Sequence, residues 1–270
     1  MAAEARKDEG AQPAARCPAC RGAIAQPARG RRRQHCSHAC RQVAYRRRRD
    51  GDKSRGLVTL LEGDALPFLA NIASESVDLV VTDPPYHFER GTSYFQEWFA
   101  ELPDEIWAQV LTDLFRVLRA DRHAYVFCDR RTHPIFTEAA RQAGFRVHDP
   151  LIWDKDRIGL GSGPWRSQHE LILFLEKGRR AGNRRDLGNV QRARPPTRGY
   201  PTEKPVTLLR TLIAQSSQPG ELVLDPFCGS GNVGHAARAL GRQALLSDVA
   251  ATFAAGRLRL APVAPEGTAA

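Results

Sequence analysis

The feature that most constrains this chain is an alternation. Short apolar runs of buried-strand type lie at 57–62 (LVTLLE), 77–82 (VDLVVT), 123–128 (HAYVFC), 221–225 (ELVLD) and 242–247 (RQALLS). Between them, at 104–119, 131–143, 203–217, 231–240 and 250–259, apolar residues recur three and four apart. A run that is apolar on both of its faces must be covered on both, and intervening helices do this when the strands are parallel. The pattern therefore predicts an α/β domain, and in such sheets ligands gather beyond the carboxyl ends of the strands.

The residues just past those strand ends are unusual. LVTLLE leads into Gly63-Asp64, VDLVVT into Asp83-Pro84-Pro85-Tyr86, ELVL into Asp225 and RQALLS into Asp248. Any one of these acids could be a helix cap or a turn carboxylate. Four on one edge of a sheet point instead to a shared ligand. The loop after Asp225, PFCGSGN, brings backbone close to whatever binds there, yet it lacks both the GxGxxG of a dinucleotide site and the GK[ST] of a phosphate cradle. Asp225 would repel a phosphate and suits a ligand bearing ammonium and sulfonium charge. Asp248, about twenty residues further on, is placed to accept from ribose hydroxyls.

The N-terminal fifth has a different character. The net charge of the 270 residues is +10, and all of it arises in residues 1–55, which hold 15 Lys+Arg against 5 Asp+Glu. A block this basic suits a polyanion, because each cation set against a phosphate releases counterions; charge pattern alone is equally that of a solvated tail. Within it, Cys17 and Cys20 form a CxxC, and after fifteen intervening residues Cys36 and Cys40 form a CxxxC. That spacing predicts a tetrahedral zinc site with these four thiolates as ligands, His35 and His38 being able to replace the last of them. Disulfides are the competing reading, disfavoured because residues 1–10 carry no export signal. Cys128 and Cys228 lie in apolar surroundings and are expected to be buried thiols. With no long apolar run, the chain is expected to be cytoplasmic.

Taken in order, GD (63–64), TDPPY (82–86), LIWDK (151–155), YPTEKP (200–205), DPFCGSGN (225–232) and Asp248 resemble the S-adenosylmethionine-dependent DNA amino-methyltransferases, the N6-adenine and N4-cytosine family, in the circularly permuted order of its β group. The resemblance runs from about residue 57 to 260. It implies a Rossmann-like methyltransferase sheet at 56–270 in which the strand near residue 60 is followed by those near 245, 224, 79 and 125. HCSHACRQVAYRRRR similarly resembles small zinc ribbons and treble-clef knuckles, implying a zinc-binding module at 1–55.

The resemblance also implies residue roles. Asp83 and the Pro84 carbonyl would accept hydrogen bonds from the target amine, Pro85 would stiffen the turn and Tyr86 would stack on an extruded base. Asp225, Phe227, Gly229, Ser230 and Gly231 would line the methionine part of S-adenosylmethionine, Asp248 the ribose and Asp64 the adenine amino group. Thr202 and Lys204 would open a helix whose amides hold the methionine carboxylate. The expected activity is methylation of adenine N6 in DNA, as in restriction-modification systems. The alternatives are cytosine-N4 methylation and a non-catalytic nucleic-acid-binding protein on the same fold. His87 departs from the asparagine frequent in the family. The segment 176–200, with eight basic residues from Lys177 to Arg198 against Asp186 alone, is expected to be a mobile loop that contributes to target recognition. The expected partners are DNA and, on DNA, a second copy of the chain.

Overall fold

A computed structural model describes Ile24, Ser37 and residues 56–85, 104–159, 163–197, 200 and 202–260. The chain divides into two compact units, Met1–Ser54 and Arg55–Ala270. Cys17, Cys20, Cys36, Cys40, Tyr86 and His87 lie outside the described residues, and so do the expectations placed on them. In the second unit the elements run β1 (Val58–Glu62), α1 (Ala65–Ala70), β2 (Val77–Thr82), α2 (Asp104–Val117), β3 (Leu118–Cys128), α3 (Thr132–Ala143), β4 (Arg146–Val147), β5 (Leu151–Asp154), β6 (His169–Lys177), β7 (Val190–Arg192), α4 (Val206–Ser216), β8 (Leu222–Asp225), α5 (Asn232–Ala239), β9 (Gln243–Asp248) and α6 (Thr252–Leu258). No helix among the described residues is long and apolar enough to cross a membrane.

The sheet order is β1-β9-β8-β2-β3-β6-β5-β7, with β4 also paired to β6. From β1 to β3 every pairing is parallel, whereas β6 runs antiparallel to β3, β4 and β5. The order near the ligand edge is therefore the one expected, and Asp64, Asp83, Asp225 and Asp248 stand at the same edge of the parallel half. The period of two along each strand explains how one sheet feeds two cores. Leu79 and Val81 of β2, with Tyr125 and Phe127 of β3, pack with Leu208, Leu212, Ala236 and Leu258 from α4, α5 and α6. Val80, Ala124 and Val126 face the other way, onto Leu69, Trp107, Leu114 and Phe136 from α1, α2 and α3. All six residues of β2 are buried, which accounts for the apolar run seen in the sequence.

Two regions differ from expectation. Strands β4 to β7 were not among the expected strands: β4 and β7 have only two and three residues, and the apolar run of β6, Leu171 to Leu175, is bounded by Glu170 and Glu176. The basic segment is not a free loop: β7 pairs with β5, and Asn183 Nδ2 donates to Ala214 O and Ser217 O at 2.7 and 2.8 Å. The Arg180 carbonyl, in the same segment, lies 3.1 Å from His123 Nε2. Backbone and amide bonds to the domain body fix this segment, and its run of charges gives no sign of such anchors.

Candidate active site

The turn after β2 and the loop after β8 meet because their strands are hydrogen-bonded neighbours, with Leu79 opposite Val223 and Val80 opposite Leu224. A buried hydrogen bond ties the two tips: Thr82 Oγ1 donates to Asp225 Oδ1 at 2.7 Å. The same oxygen accepts from the Phe227 amide at 3.1 Å. Despite these donors, burial dominates and lifts the Asp225 carboxyl to about 8. A buried carboxyl raised this far at a strand tip is a candidate functional group.

The glycine loop has its shape for steric reasons. Gly229 and Gly231 have φ of +44° and +74°, where side chains are disfavoured. A Cβ on Gly231 would stand 3.0 Å from Leu258 Cδ1 and 3.1 Å from the Ala254 Cβ; one on Gly229 would stand 3.1 Å from the Tyr200 ring. The loop is held to β9 by Asp248, whose Oδ2 accepts from the Gly229 amide at 2.8 Å and whose Oδ1 accepts from the Ala250 amide at 3.0 Å. Gly63 N in turn donates to Asp248 O at 3.0 Å, joining the end of β1 to that of β9.

Around Asp83 the arrangement is ionic. Its Oδ2 accepts from Lys204 Nζ, while Oδ1 is buried with no hydrogen-bond partner among the described residues. Burial raises this carboxyl to about 6, the Lys204 ammonium acting against that rise and Glu170 adding to it. Pro84 is buried and Pro85 partly so. An unpartnered buried carboxylate oxygen is costly in a folded protein, and this one has acceptor capacity that a donor could fill.

The other expected site residues are more scattered. Ser230 is buried, and Asp64 is exposed at the start of α1, making no side-chain cap bond. Phe227 packs on the core beneath α2, its ring 6.0 Å from that of Trp107. Thr202 is exposed at φ +62°. Helix α4 begins only at Val206, with Pro205 as its cap, so Thr202 and Lys204 precede it, and the Lys204 side chain reaches Asp83. That is the main departure from the expected placement, a helix starting at residue 203. Sequence reasoning missed Thr82, Glu170, Lys155 and Tyr200 as members of this neighbourhood. Lys155 and Tyr200 sit inside motifs already singled out, LIWDK and YPTEKP; Glu170 left no signal beyond being an acid in an apolar strand.

Among the described residues no three His, Cys, Asp or Glu side chains come together to hold a metal ion. Cys128 and Cys228 are free and buried, as expected.

The parallel half of the sheet gathers four acids at its carboxyl edge, the edge at which α/β folds bind ligands. A family model described as DNA methylase matches residues 77–255, and the chain belongs to that family. It is 28% identical over 224 residues to the DNA adenine methyltransferase YhdJ of Escherichia coli (strain K12), an overlap of 68% of this chain and 76% of that protein. Two solved structures share the fold at a TM-score of 0.60. The M1.HpyAVI–SAM complex is 21% identical and matches 76% of this chain and all of the other (100%). The cytosine-N4-specific PvuII DNA methyltransferase is 15% identical and matches 76% and 88%.

Proposed function

We propose that this protein transfers a methyl group from S-adenosylmethionine to the exocyclic N6 of adenine in DNA. The observation that carries the reading is the Thr82–Asp225 bond, which sets the acid-Pro-Pro turn beside the glycine loop. The sheet order supports the β-group permutation, since β2 precedes β8 in the chain yet lies next to it in the sheet.

The residues present fit the cofactor. Asp225 offers a buried carboxyl for positive charge, Gly229 and Gly231 let the loop take its positive-φ course against Tyr200, Ala254 and Leu258, and Asp248 stands one strand away for the ribose. When bound, S-adenosylmethionine supplies an activated methyl on sulfur. The chain's own part is to make the amine a nucleophile. An exocyclic amine shares its lone pair with the ring; acceptors at Asp83 and the Pro84 carbonyl draw on its N–H groups and localise that pair on nitrogen. An N–C bond would form as the S–C bond breaks, the sulfur leaving as the neutral thioether and the surplus proton on nitrogen passing to solvent. Positioning and electrostatics carry such a step, with no covalent enzyme intermediate.

DNA treated with the protein and S-adenosylmethionine, then digested to nucleosides and analysed by mass spectrometry, is expected to yield N6-methyldeoxyadenosine. N4-methyldeoxycytidine instead would replace the target assignment, and no methylated nucleoside from DNA or RNA would favour a binding protein on the same fold. We also assign one zinc to Cys17, Cys20, Cys36 and Cys40, in a basic module at 1–55 that adds phosphate affinity. Metal analysis should find about one zinc per chain, lost on replacing Cys17 and Cys20 by serine. Protein that holds no zinc before substitution would refute the assignment.

A further inference from the structure

Three charged side chains that this chemistry does not use close around Asp83. Lys204 Nζ donates to Asp83 Oδ2, lies 3.4 Å from Glu170 Oε2, and sits 5.3 and 5.9 Å from the ring centroids of Phe127 and Trp153. Glu170 Oε1 in turn accepts from Lys155 Nζ at 2.5 Å. The result is a row of alternating charge, Asp83, Lys204, Glu170, Lys155, assembled from the turn after β2, the residue before Pro205, β6 and the end of β5. The other titratable groups that face Asp83 are Asp225 at the tip of β8, Cys128 at the end of β3, and Tyr200. Burial pushes both the thiol and the phenol up to about 12, so neither contributes charge at neutral pH.

Lys204 is 6% exposed. Burial acts to lower such an ammonium, but Asp83 and then Glu170 hold it above its ordinary value. Burial likewise works to raise Glu170, and Lys204 and Lys155 keep it below the usual range. Lys204 and Glu170 therefore hold their charges against burial through their neighbours in the row. Removing one partner from such a set leaves a buried charge uncompensated.

We infer that Lys204 is a positioning residue, holding Asp83 in one rotamer and in its anionic form so that one oxygen is occupied and the other is left to accept, with Glu170 and Lys155 setting the strength of that hold. The inference rests on the methyl-transfer reading and deepens it. A protonated Asp83 would offer an O–H donor where the amine needs an acceptor.

The test monitors the Asp83 carboxyl by carbon-13 NMR titration, alongside the pH dependence of kcat and calorimetric binding of S-adenosylmethionine. Lys204→Met keeps the length and apolar contacts of the stem and removes the charge. It should move both the titration midpoint and the acid limb of kcat up by about one pH unit or more, with cofactor affinity unchanged. Glu170→Gln removes a like charge and should move both the opposite way, and Lys204→Arg should restore much of the wild-type limb. Should Lys204→Met not fold, the downward shift in Glu170→Gln decides. An unmoved midpoint in the folded variants overturns the inference. So does weakened cofactor binding with an unmoved midpoint, which would make Lys204 a cofactor contact. A wild-type protein that methylates nothing, yet shows both shifts in the Asp83 titration, would remove the methyl-transfer reading and leave the positioning role standing.

Discussion

Asp83→Ala is expected to cut methyl transfer by about 100-fold to 10,000-fold, the range over which a positioned acid-base or electrostatic group acts, while S-adenosylmethionine still binds. The expectation comes from the division of labour at the site. Asp83 belongs to the turn after β2 and bonds to Lys204, whereas the glycine loop is held by Asp248 and by the Asp225–Phe227 backbone contact. Truncating Asp83 therefore removes the acceptor without loosening the loop. The wild-type rate should depend on the same carboxylate. Burial and Glu170 outweigh Lys204 and raise it to about 6, so activity is present above that pH and is lost as pH falls through it. Single-turnover rates across the range from about pH 5 to about pH 8, with cofactor affinity measured on the same samples, check both statements. An alanine variant that turns over normally would remove Asp83 from the chemistry.

Asp225→Asn should weaken S-adenosylmethionine binding by about 100-fold, the loss expected when a charged partner worth about 3 kcal/mol is neutralised in place. It should also stabilise the free protein. The sign comes from the raised carboxyl. Asp225 titrates near 3.8 when unfolded and near 8 when folded, because burial disfavours its ionised form. Between those values the unfolded chain has released a proton that the folded chain still holds, so stability falls as pH rises across that window. Asparagine removes this slope and should raise the melting temperature most at and above pH 8. In the wild type, cofactor affinity should increase as pH rises towards 8 and Asp225 ionises. Calorimetry and thermal melts at about pH 6 and about pH 8.5 test the pair together. A variant that loses affinity but gains no stability would mean that Asp225 holds the loop instead of awaiting a cation.

The half of the fold that carries the four acids was legible because its strands are buried on both faces and its helices are amphipathic, so the chain had to spell out both periods. Residues 77–82 illustrate this, each one buried. The other half was not legible. In β6, Glu170 and Glu176 bound an unbroken apolar run of five residues, and both have partners inside the protein: Lys155 donates to Glu170 Oε1, and the Arg180 amide at 2.6 Å and His148 at 2.9 Å meet Glu176. In the sequence such acids cut the run short, since their side-chain partners Lys155 and His148 lie 15 and 28 residues away. The site divided in the same way. Acids at strand ends could be placed by position, whereas Lys204 is next to a helix in sequence and next to Asp83 in space, 121 residues apart.

The seam between the parallel and antiparallel halves runs along β3, and the residues that matter to Asp83 sit on both sides of it. Lys155 and Glu170 ride on the β5–β6 hairpin, beyond the seam from Asp83 and Asp225. An exchange of that hairpin for one of different length would thus also shift the charges that stand beside Asp83, so that an edit on one half of the sheet is felt at a strand tip on the other.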